Sequence, residues 1–132
     1  GDAPEMWNFE NPERVRKLHR KFIQAGADIV LTNTFGGNRH RLKLHNEQGR
    51  VREINMAAAA LARAEADAAG RTVYVGGSIG PTGEIFMPVG TMPHEEGVSA
   101  FGEHAMALKE GGVDGLWSEA MSSDEELRAA VE

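Results

Sequence analysis

AGADIVLTNTFGGN, running from Ala25 to Asn38, is the stretch whose reading decides the fold. Gly26 supplies a left-handed stop for whatever helix precedes it. The run Asp28-Ile-Val-Leu-Thr32 is apolar without polar alternation, which is how a strand buried on both faces reads. It ends in a polar, glycine-broken loop over Asn33 to Asn38. Upstream, Asn11 followed by Pro12 is a helix start, with proline in the first turn where its missing N–H costs nothing. Val15, Leu18, Phe22 and Ala25 recur at helical spacing, so a helix over 11–25 feeds a strand through a two-residue turn.

The same unit repeats outward along the chain. A second helix is predicted from Gly49 or Arg50 to Ala69, with Val51, Ile54, Ala58, Leu61 and Ala62 as its apolar stripe and Gly70 at its end. Val73-Tyr74-Val75 is the next buried strand, followed by a long loop over 76–93. A third helix spans 94–110 on Val98, Phe101, Ala105 and Leu108. Gly97 and Gly102 lie inside it, each costing about 1 kcal/mol relative to alanine, so it is expected to be the weakest. A third strand covers 113–118. Ser122 and Ser123, each three residues ahead of Glu125 and Glu126, offer a capping box for a fourth helix.

Short turns after each helix and long loops after each strand are the signature of a parallel α/β sheet. In barrels and open doubly wound sheets alike, the working residues sit on the loops at the strand C-terminal ends. Function is therefore expected in three places: 32–48, 76–93 and 118–122. Three parallel strands leave two open edges and apolar faces that further elements would have to cover. The pattern predicts a piece of a larger repeated α/β domain, with a small complete three-stranded sandwich as the alternative.

Composition narrows the chemistry. The chain has 132 residues, which fits one domain. It has no cysteine, so neither a disulfide nor a thiolate metal site or nucleophile can come from it. Fourteen Lys+Arg against twenty Asp+Glu lack the basic face that nucleic-acid binding needs. There is no run of about 18 to 20 apolar residues to span a membrane, and no charged-then-apolar leader. The expected location is cytoplasmic. Sixteen glycines exceed average usage and should mark turns, helix ends and close backbone approach.

Among candidate site residues, Gly76 to Gly83 invites a phosphate-cradle reading, but it lacks the Lys-Ser/Thr ending of a P-loop and Pro81 removes a donor. Asn33 and Thr34 end a buried strand and either face a ligand or cap the turn. Glu119 directly follows a strand, where a barrel keeps its working residues and where a ligand ammonium or an arginine is the natural partner. A solvated loop glutamate is the other reading. The five histidines do not form a metal site: His40 and His45 are off the i, i+4 spacing, while His19 and His104 fall in separate helices. Trp117, in phase with Glu119, is expected in a core rather than at a ligand.

Four segments together carry a resemblance: AGADIVLTNTFGGNRHRL (Ala25 to Leu42), VREIN and its alanine-rich helix (Val51 to Leu61), GGSIGPTGE (Gly76 to Glu84) and GGVDGLWSEAMS (Gly111 to Ser122). In order and spacing they resemble the homocysteine S-methyltransferase family, over essentially the whole chain. The opening GDAPEMWNFENPERV is most similar to bacterial betaine-homocysteine methyltransferase-like members. The resemblance implies a (β/α)8 TIM barrel, of which this chain covers roughly helix 1 through strand 4 and the start of helix 4. It implies transfer of a methyl group from a donor such as betaine or S-methylmethionine to the homocysteine thiol, giving methionine.

Family members hold zinc through three cysteines; coordination turns a thiol of pKa about 8.5 into a thiolate nucleophile. Those ligands are absent here, so zinc is a cofactor of the intact family enzyme and the chain alone is expected to be inactive. By the same resemblance, Glu119 accepts the homocysteine ammonium, while Asn33, Thr34 and Phe35 on the TNTF loop, and Ser78 and Gly80 on the loop after the next strand, line the substrate mouth. No residue of this chain is expected to be catalytic or to bind metal. Homocysteine and a methyl donor are the expected partners, with homo-oligomers through the open edges. The rival reading is a non-catalytic α/β amino-acid-binding or assembly module. The chain departs from many relatives at Ser118-Glu119-Ala120, at Pro93 in place of a threonine cap, and at Gly97 and Gly102.

Overall fold

A computed structural model describes residues 3–132. A 3-10 turn, Pro4–Met6, and a single helical turn α1, Trp7–Glu10, precede α2, Pro12–Gln24. Then follow β1 (Ile29–Leu31), α3 (Arg39–Lys43), α4 (Val51–Asp67), β2 (Tyr74–Ile79), α5 (His94–Gly111), β3 (Gly115–Ser118) and α6 (Asp124–Val131). The three strands form one parallel sheet in the order β1-β2-β3. Its register places Leu31 beside Gly76 and Gly76 beside Gly115, and Ser78 beside Trp117. Helix–strand alternation and parallel pairing are those expected from the turn lengths.

The helices lie against one face of the sheet. Val30, Val75 and Ile79 are buried on that side. Ile23, Ala62, Ala66 and Val73 complete the packing of α2 and α4 around β1 and β2. A second cluster joins Ile79, Phe101, Leu108 and Ala129 to Phe86 and Met92 from the loop after β2. That long loop is therefore anchored: Phe86 and Met92 pair across it, and Met92 N–H donates to the Ile85 carbonyl at 3.1 Å.

Several boundaries differ from expectation for packing reasons. β2 extends to Ile79 instead of stopping at Val75. Its glycines are strand residues kept small by their neighbours: a Cβ on Gly76 would stand 2.8 Å from Leu31 Cδ2, and one on Gly77 would stand 3.0 Å from Leu108 Cδ1. The first long loop contains α3, capped by the Asn38 side chain, which accepts from Arg41 N–H. In α2 the inward residues are Val15, His19 and Ile23, whereas Leu18 and Phe22 are exposed. The apolar stripe is wider than the contact with α4, and its outer half overhangs the free edge of β1.

The third strand, expected over 113–118 with Trp117 in a core, spans Gly115–Ser118, and every residue of it, Trp117 included, is exposed. It is an edge strand, and the opposite sheet face has no covering element among the described residues. Ile29, Tyr74 and Trp117, all on that face, are each about half exposed. No helix among the described residues is long and apolar enough to cross a membrane.

Candidate functional site

The C-terminal ends of β1, β2 and β3 bring the three expected loops together. Thr32 and Thr34 act first on the backbone of Ser78. Thr32 Oγ1 accepts the Ser78 N–H at 3.1 Å and lies 2.6 Å from Thr34 Oγ1, which donates to the Ser78 carbonyl at 2.7 Å. One proton order satisfies all three contacts: Thr32 donates to Thr34, and Thr34 donates to Ser78. Ser78 is thereby held on both its peptide groups, and its own Oγ donates to Glu119 Oε1 at 2.6 Å.

Glu119 is held from its other side by its own backbone, with its N–H donating to the Ile79 carbonyl at 3.0 Å. The next residue, Ala120, adopts φ 57°, a left-handed conformation that a Cβ disfavours. The Glu119 carboxylate is half-buried and meets no cation among the described residues. A carboxylate fixed through one oxygen, with the other free at a sheet's C-terminal end, is suited to an ammonium donor.

The other expected residues have mixed roles. The Asn33 side chain donates to the Pro4 carbonyl at 2.8 Å and contacts Asn8 Oδ1 at 3.3 Å, so it ties the loop to the N-terminal segment. Thr34 is fully buried and acts on the sheet as described. Phe35 remains partly exposed, and its carbonyl accepts the Gly80 N–H at 3.1 Å. Gly80 is obligatory at this approach: a Cβ would fall 2.5 Å from the Phe35 carbonyl oxygen. Phe35, Ser78 and Glu119 thus line the strand ends, whereas Asn33 and Thr34 brace the loop.

Three further residues organise this end and were not among the site candidates read from the sequence. Glu5 Oε1 accepts the Gly36 N–H at 2.7 Å. Asn55 Nδ2 reaches from α4 to the Gly37 carbonyl at 2.9 Å. Glu126, fully buried, accepts from Thr82 and Ser122. Burial opposes its charge, but donors from Ser122 and Thr82 outweigh that penalty and hold its carboxyl below the ordinary range. Only Glu126 left a sequence trace, as the acid of a capping box.

His104, expected merely on a helix, is completely buried against the Thr34 backbone. Burial pushes its imidazole down to about 4, with the Thr34 backbone opposing only in part, so it is neutral at pH 7. His19 is likewise lowered by burial, with Glu65 opposing. No three His, Cys, Asp or Glu side chains among the described residues are grouped to hold a metal ion. With no cysteine either, these residues do not fit a thiolate zinc site.

An apolar groove of ≈ 540 Å³ lies elsewhere, along the free edge of β1, lined by Trp7, Leu18, Phe22 and Ile29. It has the size of a ligand pocket but none of the strand-end chemistry.

Comparison with known proteins agrees on one family. The model of the homocysteine S-methyltransferase family matches residues 2–132. The chain is 35% identical over 133 residues to a methionine synthase of Mycobacterium tuberculosis (strain ATCC 25618 / H37Rv), covering 96% of this chain and 11% of that protein. It is 32% identical to the methionine synthase of Mycobacterium leprae (strain TN), again with 11% of that protein covered. Among solved structures, the homocysteine methyltransferase MmuM from Escherichia coli superposes in its oxidized form with a TM-score of 0.82 at 22% identity. That match covers 98% of this chain and 50% of MmuM. The metallated form gives a TM-score of 0.80 at 23% identity. The chain thus spans about half of MmuM and a small part of the methionine synthases.

Proposed function

This chain belongs to the homocysteine S-methyltransferase family, and we propose that it supplies the amino-acid-recognition part of an enzyme that methylates the homocysteine thiol. The chain carries the strand-end loops of three consecutive barrel units of a (β/α)8 architecture, from the first helix to the start of the fourth. Glu119 receives the homocysteine ammonium on its free oxygen, and Ser78 holds the carboxylate in place. Phe35 and Gly80 shape the adjoining wall.

The single observation that carries this reading is the Ser78–Glu119 hydrogen bond of 2.6 Å at the C-terminal end of the sheet, with the carboxylate otherwise unpaired among the described residues. A half-buried carboxylate without a cation is poised for one, and a charge-assisted N–H···O bond to it contributes about 1.5–3 kcal/mol. Thiol activation falls to no residue of this chain. Zinc held by cysteines of the intact family enzyme would supply it there, and the 132-residue chain, which has no cysteine, is expected not to turn over by itself. The methyl donor, whether betaine or S-methylmethionine, reacts at the thiol end of the substrate, away from Glu119.

The test is calorimetry of the chain with L-homocysteine and with 4-mercaptobutanoate, which keeps the thiol and carboxylate but lacks the ammonium. Homocysteine is expected to bind at least tenfold more tightly, with the preference abolished in Glu119→Gln. Equal binding of the two ligands to the unsubstituted chain overturns the assignment.

A further inference from the structure

Glu126 stands in the first turn of α6, where a capping-box acid would reach back to the N-cap residue. Half of that box forms: Ser123 Oγ accepts the Glu126 N–H at 3.1 Å. The carboxylate does something else. Oε1 accepts from Thr82 N–H at 2.9 Å and Thr82 Oγ1 at 2.8 Å, and Oε2 accepts from Ser122 N–H at 2.9 Å and Ser122 Oγ at 2.7 Å. Each oxygen thus serves one loop, the first after β2 and the second after β3. The side chain is fully buried, so all four donors are spent within the protein.

These contacts close a ring. From Ser78 the chain runs to Thr82, crosses Glu126 to Ser122, returns to Glu119, and crosses the Ser78–Glu119 hydrogen bond to its start. Ala120 lies inside this ring in its left-handed conformation. A lone alanine there costs about 1 kcal/mol or more and persists only where its surroundings over-determine it. The ring is what over-determines it, because both ends of the Glu119–Ser122 segment are pinned.

We propose that Glu126 is a positioning residue for ligand recognition: by bridging Thr82 to Ser122 it holds Ala120 left-handed and so aims the Glu119 carboxylate. The ligand part of this inference rests on the proposed role of Glu119; the geometric part does not. Glu126 touches no ligand and acts through three intervening residues.

The test compares the unsubstituted chain with Glu126→Gln and with the double substitution Thr82→Val plus Ser122→Ala. The glutamine faces one pair of N–H and O–H donors with its own NH2 group, whereas the double variant keeps the carboxylate and both backbone donors and should fold if Glu126→Gln does not. Two readouts are taken in each. Amide hydrogen exchange at Glu119, whose N–H bonds Ile79, is expected to accelerate at least tenfold in Glu126→Gln and several-fold in the double variant, with exchange in α4 unchanged. The homocysteine preference over 4-mercaptobutanoate is expected to fall about tenfold in Glu126→Gln, with binding of 4-mercaptobutanoate altered less than twofold.

A folded variant with unchanged Glu119 exchange overturns the proposal outright. Faster exchange with an undiminished homocysteine preference overturns the claim that Glu126 aims the carboxylate. If the unsubstituted chain shows no preference, the ammonium reading of Glu119 fails, and the exchange rates alone decide whether Glu126 positions that residue.

Discussion

The Phe86 ring occupies the space where a side chain on Gly97 would begin: a Cβ at Gly97 would stand 2.4 Å from Phe86 Cε2 and 3.3 Å from the Ala129 Cβ. A glycine in the first turns of α5, unfavourable for the helix, is thus the floor on which the loop after β2 is docked. Gly102, one and a half turns later, has nothing within 4 Å of its would-be Cβ. The two substitutions should therefore have opposite signs. Gly102→Ala gains about 0.5–1 kcal/mol of helix propensity. Gly97→Ala gains the same propensity but displaces Phe86, and overpacking of about 1–3 kcal/mol wins. Urea unfolding of both variants measures the difference, and stabilisation by Gly97→Ala would contradict the packing argument.

Ser78 is expected to matter more for recognition than for folding. Ser78→Ala removes the donor to Glu119 Oε1 but leaves the backbone clamp by Thr32 and Thr34 intact. The loss of one charge-assisted hydrogen bond, about 1.5 kcal/mol, corresponds to roughly tenfold weaker homocysteine binding. The urea midpoint should move little, because Glu119 is half-buried and water can replace the hydroxyl. A large loss of stability with unchanged affinity would reverse these roles.

His104 should make stability pH-dependent below neutrality. Its folded pKa is depressed by burial to about 4, while the unfolded side chain titrates near 6.5. Between those values the unfolded state binds the extra proton, so stability is fully present above about pH 6.5. It falls as pH drops toward 4, by up to about 1.4 kcal/mol per pH unit. His19, also lowered by burial, adds in the same direction, while Glu65, Asp114 and Glu126, held below their ordinary values, act at lower pH. His104→Leu should flatten the slope between pH 7 and 5 relative to the unsubstituted chain. Equal slopes would show that His104 opens to solvent before it titrates.

The α/β alternation was legible because its signals are local: Asn11-Pro12 starts a helix, Gly26 ends it, and an apolar run follows. The position of Glu119 at a strand end was legible, although its hydrogen-bond partner Ser78 was named only through the resemblance. What could not be read depends on distant neighbours. Nothing adjacent to Gly76 or Gly77 says that Leu31 and Leu108 will press on them, so the strand looked like a loop. Asn33 and Thr34 have the same donor and acceptor chemistry whether they meet a ligand or brace a turn, and only the positions of Pro4 and Ser78 distinguish the two. The Glu126 contact to Thr82 spans 44 residues and had no counterpart in the helix-start pattern that drew attention to it.

Zinc titration separates recognition from thiol activation. With no cysteine in the chain and no metal-holding group among the described residues, titration of zinc in the presence of homocysteine should show no tight stoichiometric site. Only weak binding to exposed histidines and carboxylates is expected, insensitive to Glu119→Gln. A tight one-to-one site would mean that the substrate thiol and protein side chains can complete a metal shell here, contrary to the proposed division of roles.

Self-association is expected from the uncovered parts of the sheet. β1 presents a free edge beside a groove lined by Trp7, Leu18, Phe22 and Ile29, and β3 presents another with Leu116 about half exposed. Unpaired strand edges flanked by apolar side chains template pairing with another chain. Sedimentation should therefore show mass rising with concentration. Ile29→Lys places a charge at the β1 edge without entering the core, since Ile29 is 49% exposed, and should shift the distribution toward monomer. A charge change away from the sheet, Lys17→Glu on an exposed face of α2, should leave it unchanged. A concentration-independent monomer in the unsubstituted chain would mean that these edges are too short or too twisted to pair.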